Sequence, residues 1–207
     1  MFDLLKTAGA DRIMSVDLHA AQSQGFFDGP VDHLIAMPVL VDYIRDRFAN
    51  QLDNVAVVSP DAGRIRVAEQ WAQRLGGGPL AFVHKTRDIT RPNQAVANRG
   101  VGDVEGKDCV LVDDLIDTAG TIAGACSVLK NAGAKSVTVV ATHGVLSGPA
   151  VERLKNSGAR EIVLTDTVPI PEEKRWDGLT VLSIAPLLAS AIRAVFEDGS
   201  VAELFDT

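Results

Sequence analysis

The 207-residue chain carries 20 Lys and Arg against 27 Asp and Glu, a formal charge of −7, with 46% hydrophobic and 23% charged residues. That balance suits a soluble globular protein and excludes a nucleic-acid binder resting on clustered basic residues, but not a phosphorylated small molecule, which needs only local positive potential. Cys109 and Cys126 lie in apolar surroundings without metal-ligand spacing, the pattern of reduced core thiols in a cytoplasmic protein rather than of a disulfide framework.

The N-terminal MFDLLKTAGADR lacks the basic, apolar, small-residue order of a signal peptide. IMSVDL (13–18) reads as a strand and PVLVDYIRDRFA (38–49) as a helix. VAVVS (55–59) is a strand, GRIRVAEQWAQRL (63–75) a helix stopped by glycines 76–78, and LAFVH (80–84) a strand. Residues 85–105, KTRDITRPNQAVANRGVGDVE, hold four basic residues without apolar periodicity and read as a long functional loop. CVLVD (109–113) is a strand and GTIAGACSVLKNAG (120–133) a helix ending at Gly133. SVTVVAT (136–142), EIVLT (161–165) and TVLSI (180–184) are strands, and APLLASAIRAVF (185–196) closes the series as a helix. The most apolar stretch, LTVLSIAPLLASAIRAVF, is broken by Pro186 and Arg193, and so is a strand followed by a helix rather than a membrane span. Most strand runs are continuous rather than alternating, as strands covered on both faces are. Their alternation with helices predicts an α/β fold with a mostly parallel sheet.

The stretch VLVDDLIDTAGT (110–121) carries the chemistry. In a strand-loop-helix unit, ligands bind beyond the carboxyl end of the strand, where the next helix starts with amides that have no intrahelical partner. Asp113 and Asp114 are expected at that end, and Asp117, Thr118, Ala119, Gly120 and Thr121 in the turn. Small residues let a backbone wrap an anion while the threonine hydroxyls add donors. Carboxylates beside an anion nest suit a sugar phosphate, the acids taking hydroxyls or a metal and the amides the phosphate. An acidic helix N-terminus stabilised by its dipole is the plainer alternative.

VLVDDLIDTAGT closely resembles the phosphoribosyl-pyrophosphate motif shared by type I phosphoribosyltransferases and ribose-phosphate pyrophosphokinases. SVDLHAAQSQGFFDGPVDHL (15–34), VVSPDAGRIRVAE (57–69), FVHKTRD (82–88), ATHGVLSGPA (141–150) and DGSVAELF (198–205) resemble the second family, in order, over essentially the whole chain. The resemblance implies a type I phosphoribosyltransferase-like fold. It also implies transfer of a diphosphoryl group from ATP to the C1 hydroxyl of ribose 5-phosphate, for nucleotide biosynthesis, with Mg²⁺ as cofactor. No nucleic-acid or membrane partner is implied, and family members assemble as dimer-based hexamers.

By the same resemblance, Asp113, Asp114, Asp117, Thr118, Ala119, Gly120 and Thr121 form the ribose 5-phosphate site. His19 matches the histidine associated with Mg-ATP and Asp61 a metal-linked aspartate, the carboxylate being the easier Mg²⁺ ligand because that ion prefers oxygen. Outside the resemblance, a histidine at a strand end is more often a hydrogen-bonded structural residue, and an aspartate after Pro60 a turn-former. Lys85 and Arg87 match a basic pair opening the family's mobile catalytic loop, where two cations would neutralise charge on the transferred group. His33, His84 and His143 receive no assigned role, His143 in ATHG being at most a residue that helps shape the site.

Three features depart from the family pattern. Ala119 stands where Gly or Cys is common, and Asp166 where Asn is commoner, adding negative charge on the sugar-phosphate side. Family members also carry roughly a hundred residues before the point matching Met1, about one more domain of ordinary size. That segment holds the adenine-binding residues. Residues 1–36 are therefore expected to be the remnant of a first domain, 37–195 a second domain, and 196–207 a tail packing on the first, with ATP handling compromised. Two alternatives are a stand-alone phosphoribosyltransferase, which leaves DLHAAQSQGFFD unexplained, and a non-catalytic associated subunit, against which the intact Asp113, Asp114, Lys85 and Arg87 argue.

Overall fold

The computed structural model describes residues 1–85 and 98–205. Helix α1 (Phe2–Thr7) precedes strand β1 (Ile13–Val16), a 3-10 turn (Ala21–Phe26) and β2 (Val31–Leu34). Helix α2 (Met37–Arg47) carries Pro38 in its first turn, where a fixed φ is suited and no amide donor is missed. The chain continues through β3 (Val55–Ser59), α3 (Ile65–Arg74), β4 (Leu80–Lys85) and β5 (Asn98–Val101). Then follow β6 (Asp108–Ile116), α4 (Gly120–Asn131), β7 (Ser136–Gly144), α5 (Ala150–Asn156), β8 (Glu161–Thr165), β9 (Leu179–Leu182) and α6 (Ala185–Phe196).

Seven strands form one sheet in the order β5-β4-β3-β6-β7-β8-β9. Every neighbouring pair is parallel except β4 and β5. The continuous apolar runs have the predicted cause, because both faces are covered. Ala56, Val58, Cys109, Leu111, Val137 and Val139 point into a core shared with α4 and α5. Their neighbours Val55, Val57, Val110, Val112 and Val140 point the other way, into a core with α2 and α3. Cys109 and Cys126 are buried free thiols, and burial pushes them up to about 12 and about 11. Among the described residues no helix is long and apolar enough to cross a membrane.

Strands β1 and β2 pair in parallel as a separate two-stranded sheet. Leu34, Met14 and Val16 pack there with Ala191, Leu187 and Val195 of α6 and with Val201, Leu204 and Phe205 of the tail. Leu4, Phe26, Ile192 and Phe196 are exposed.

The structure corrects several element boundaries. β6 runs to Ile116 instead of ending at residue 113, because β7 extends beside it to Gly144. Asp113 and Asp114 therefore lie within a strand, not beyond it. A Cβ at Gly144 would lie 2.5 Å from Leu164 Cδ1, so this strand end needs glycine. The predicted loop 85–105 contains β5, which pairs antiparallel with β4.

Asp108 clamps the opposite, amino-terminal edge of the sheet. Only 1% exposed, it accepts hydrogen bonds from Lys135 Nζ (2.8 Å), Ser136 Oγ (2.7 Å) and Asn54 Nδ2 (3.2 Å). Burial alone would raise its pKa, but these donors and the Lys135 charge together hold it below the ordinary carboxylate range. Asp108→Ala removes the shared acceptor of three donors that solvent can partly reach, and is expected to cost about 1–2 kcal/mol at pH 7, read by urea denaturation. Because the folded value is depressed, this advantage stands above the ordinary aspartate value of about 3.9 and fades as pH falls below it.

Candidate sugar-phosphate site

Winding reverses between β3 and β6. The chain passes from β3 through α3 to β4 on one side, and from β6 through α4 to β7 on the other. The loops leaving β3 and β6 therefore diverge and open a crevice, the usual ligand position in such sheets. An open cleft of about 660 Å³ lies there, lined by His19, Asp61, Arg64, Asp113, Asp114 and the continuous run 115–122. All the expected sugar-phosphate residues, with His19 and Asp61, thus share one cavity.

The loop from Ile116 to Thr121 is pinned from behind. Val145 and Leu146 amides donate to Ile116 O, and Ser147 N donates to Asp117 O at 2.9 Å. Arg153 Nη1 donates to Thr118 O at 3.0 Å. Ala119 turns the chain into α4 with φ 59°, a left-handed conformation costing a non-glycine residue about 1–2 kcal/mol. Its methyl group is buried in the core, which offsets part of that strain.

Asp113 and Asp114 differ sharply in environment. Asp114 Oδ2 contacts Arg64 Nη2 and His19 Nδ1 (2.9 Å), and Arg64 Nη2 lies 2.9 Å from that same ring nitrogen. A single nitrogen cannot serve both partners alike: either His19 presents a proton to Asp114, or it presents its lone pair to Arg64. Burial pushes both carboxyls up. At Asp114 the His19 and Asp113 hydrogen bonds and the Arg64 charge outweigh burial, holding it low. At Asp113 burial and the neighbouring Asp114 prevail, raising it to about 7. Below about pH 7 the pair therefore holds one proton, mostly on Asp113, and it loses that proton as pH rises through neutrality.

Asp61 caps the 3-10 turn after β3, its Oδ1 accepting from Gly63 N at 2.9 Å. Asp61 also lines the cleft, and a carboxylate suits a hard cation. His19 is 72% exposed and offers nitrogen, a poorer Mg²⁺ ligand. Among the described residues no group of three or more His, Cys, Asp or Glu is arranged to hold a metal ion. The carboxyl oxygens of Asp61, Asp113 and Asp114 along the cleft are donors of the type that Mg²⁺ takes in ones and twos.

Lys85 closes β4 and is described only through its backbone; Arg87 lies outside the described residues. Asp166 corrects an expectation, since its Oδ1 accepts from Ile184 N at 2.9 Å at the start of α6. That bond turns it toward a different cleft, shared with His143 and Thr167, so its charge is not aimed at the 113–121 loop. Arg64 was not singled out from sequence. The signal available was a basic residue in the SPDAGR turn opposite the acidic loop.

His19 is set by the preceding turn. Asp17, with φ 42°, accepts from Ala36 N (3.1 Å) and Thr142 Oγ1 (2.6 Å) through its carboxylate. Its carbonyl accepts from His143 Nε2 at 3.0 Å, which assigns His143 its shaping role. His33 Nε2 accepts from Leu18 N, so it too is structural.

The raised Asp113 value has a measurable consequence. Between about pH 4 and pH 7 the unfolded chain ionises this carboxyl while the folded protein keeps it protonated, so its contribution to stability is lost as pH rises. Asp113→Asn is expected to flatten that decline in urea midpoints between pH 4.5 and 7.5, both working values set around the aspartate range of about 4 to 7.

A phosphoribosyl synthetase-associated domain matches residues 83–206. The chain is 94% identical over all 207 residues to the ribose-phosphate pyrophosphokinase of Bifidobacterium longum, covering 61% of that protein. It is 65% identical over 204 residues to the Mycobacterium tuberculosis protein of the same name, covering 99% of this chain and 62% of that one. The crystal structure of phosphoribosylpyrophosphate synthetase from Mycobacterium smegmatis superposes with a TM-score of 0.87 at 62% identity, covering 96% of this chain and 63% of that one. The chain thus spans about three fifths of the length of these relatives. By its matched domain, its cleft and its close relatives, the chain belongs to the ribose-phosphate pyrophosphokinase family.

Proposed function

We propose that this chain binds ribose 5-phosphate in the cleft at the end of β6 and serves transfer of a diphosphoryl group from ATP to the sugar's C1 hydroxyl. The C1 oxygen bonds to the β-phosphorus of ATP and the bond from that phosphorus to the α-bridging oxygen breaks. AMP leaves, 5-phosphoribosyl 1-pyrophosphate remains, and the hydroxyl proton is released. The observation carrying this reading is that two adjacent, partly buried carboxyl groups and the small-residue turn 117–121 line the same cleft at the topological switch point.

The α4 N-terminus supports the 5-phosphate end, since first-turn amides have no carbonyl partner within the helix. Asp113 and Asp114 suit the ring hydroxyls, one carboxyl accepting and its protonated neighbour also able to donate. Mg²⁺ held by Asp61 together with substrate oxygens, with His19 beside it, would supply neutralising charge to the polyphosphate. Lys85 and Arg87 complete the proposal as the cations meeting charge on the transferred group. The homo-oligomer expected from the family also belongs to this proposal.

Isothermal titration with ribose 5-phosphate in Mg²⁺ buffer tests the sugar-phosphate half. Saturable binding that weakens at least about tenfold in Asp114→Asn is the expected result, a typical loss for a charged hydrogen-bond acceptor. Absence of binding by the folded protein would refute it. A coupled AMP-release assay reads the reaction: AMP that requires both ATP and ribose 5-phosphate supports transfer. Binding without AMP formation would restrict the proposal to sugar-phosphate recognition.

A further inference from the structure

The turn from Asp117 to Thr121 can present its amides because the carbonyls entering it are held from behind. Ile116 O accepts from the amides of Val145 and Leu146, Asp117 O from Ser147 N at 2.9 Å, and Thr118 O from Arg153 Nη1 at 3.0 Å. In a trans peptide the C=O and the N–H of one unit point in opposite directions. Fixing these three carbonyls toward the segment after β7 and toward α5 therefore sends the amides of Asp117, Thr118 and Ala119 the other way. Among the described residues none of those three amides has a backbone acceptor, and all three residues line the cleft.

Ile116 and Asp117 are pinned by backbone amides, which almost any residue would supply. Thr118 is pinned by a side chain, and a charged one. Arg153 stands on α5, is exposed, and does not line the cleft. Its Nη1 lies 3.6 Å from where a Cβ at Gly120 would be, so the guanidinium runs alongside the first turn of α4. Among the described residues it meets Thr118 O and no carboxylate, whereas Arg64 across the cleft is tied to Asp114. The cleft itself is acidic, with Asp61, Asp113, Asp114 and Asp117 against Arg64. A phosphate entering it meets repulsion that an uncompensated cation behind the turn offsets.

We propose that Arg153 is a positioning residue for the 5-phosphate. It fixes the Thr118 peptide so that the Ala119 amide faces the cleft, and it lends the turn its charge without touching substrate. This rests on the sugar-phosphate reading above and deepens it. An exposed bond to a single carbonyl does little for folding, since water replaces it when the side chain is shortened. The role of Arg153 is therefore separable from stability.

The test is isothermal titration of the whole chain with ribose 5-phosphate in excess Mg²⁺ for wild type, Arg153→Gln and Arg153→Lys. Urea midpoints and amide NMR spectra of the ligand-free proteins accompany it. Arg153→Gln is expected to weaken binding about three- to tenfold, the range of one hydrogen bond. Arg153→Lys should recover most of it, because an ammonium also donates and keeps the charge. The Ala119 amide resonance should shift in Arg153→Gln, while the three urea midpoints stay together. Unchanged affinity in Arg153→Gln, beside intact wild-type binding, would overturn this proposal alone. So would lost affinity with an unmoved Ala119 amide, or an Arg153→Lys as weak as Arg153→Gln. A fall in affinity matched by a fall in urea midpoint would also overturn it, marking Arg153 as scaffold. No ribose 5-phosphate binding by folded wild type would overturn the sugar-phosphate reading, and this proposal with it.

Discussion

Three segments distant in sequence meet at Asp17, and the geometry of the cleft depends on that junction. Its carboxylate joins the start of α2, through Ala36 N, to the end of β7, through Thr142. Its carbonyl, turned by a left-handed backbone, meets His143 on the same strand. These bonds fasten the two-stranded sheet to the seven-stranded one by polar contacts, where α6 and the tail fasten it by apolar ones. His19 lies two residues further on, so the turn that Asp17 fixes also sets an imidazole beside Asp114. Without it, the acid pair would face Arg64 alone.

The cleft concentrates unfavourable features that the rest of the fold avoids. Two adjacent carboxyls are partly buried, and one keeps its proton up to about neutral pH to avoid a second charge. Four described non-glycine residues have positive φ, and three of them, Asp17, Ala119 and Leu146, belong to turns shaping the cleft. Strain and buried charge persist where the surrounding structure over-determines them, and they gather where a ligand is meant to relieve them. Elsewhere carboxylates are satisfied. Asp108 has three donors, and Glu161 ties Tyr43 and Arg47 of α2 to Thr180 of β9.

The elements missed from sequence failed for identifiable reasons. VDHL at β2 has two polar residues in four and a partner strand that supplies its backbone bonds, so neither periodicity nor propensity marks it. NRGV at β5 pairs antiparallel at the sheet edge with no apolar alternation to announce it. AVERLKN at α5 is a short helix with Ala150 and Leu154 buried, too brief a pattern to stand out beside a motif. The resemblance grouped Asp113, Asp114, the 117–121 turn, His19 and Asp61, and these do line one cleft. It passed over Arg64, whose partners are 45 and 50 residues away.

By itself the sequence determined the doubly covered parallel sheet, because continuous β-branched runs between helical stretches leave little other way to bury their side chains. It also marked the 113–121 loop, since acids followed by small residues and threonines have a local chemical meaning. Only the tertiary structure decided which distant groups face that loop. It placed Arg64 and His19 on Asp114, turned Asp166 to the start of α6, and left the proton of the acid pair on Asp113. Those outcomes follow from burial and from the crossing of strands, and both are properties of the packed chain rather than of any one segment.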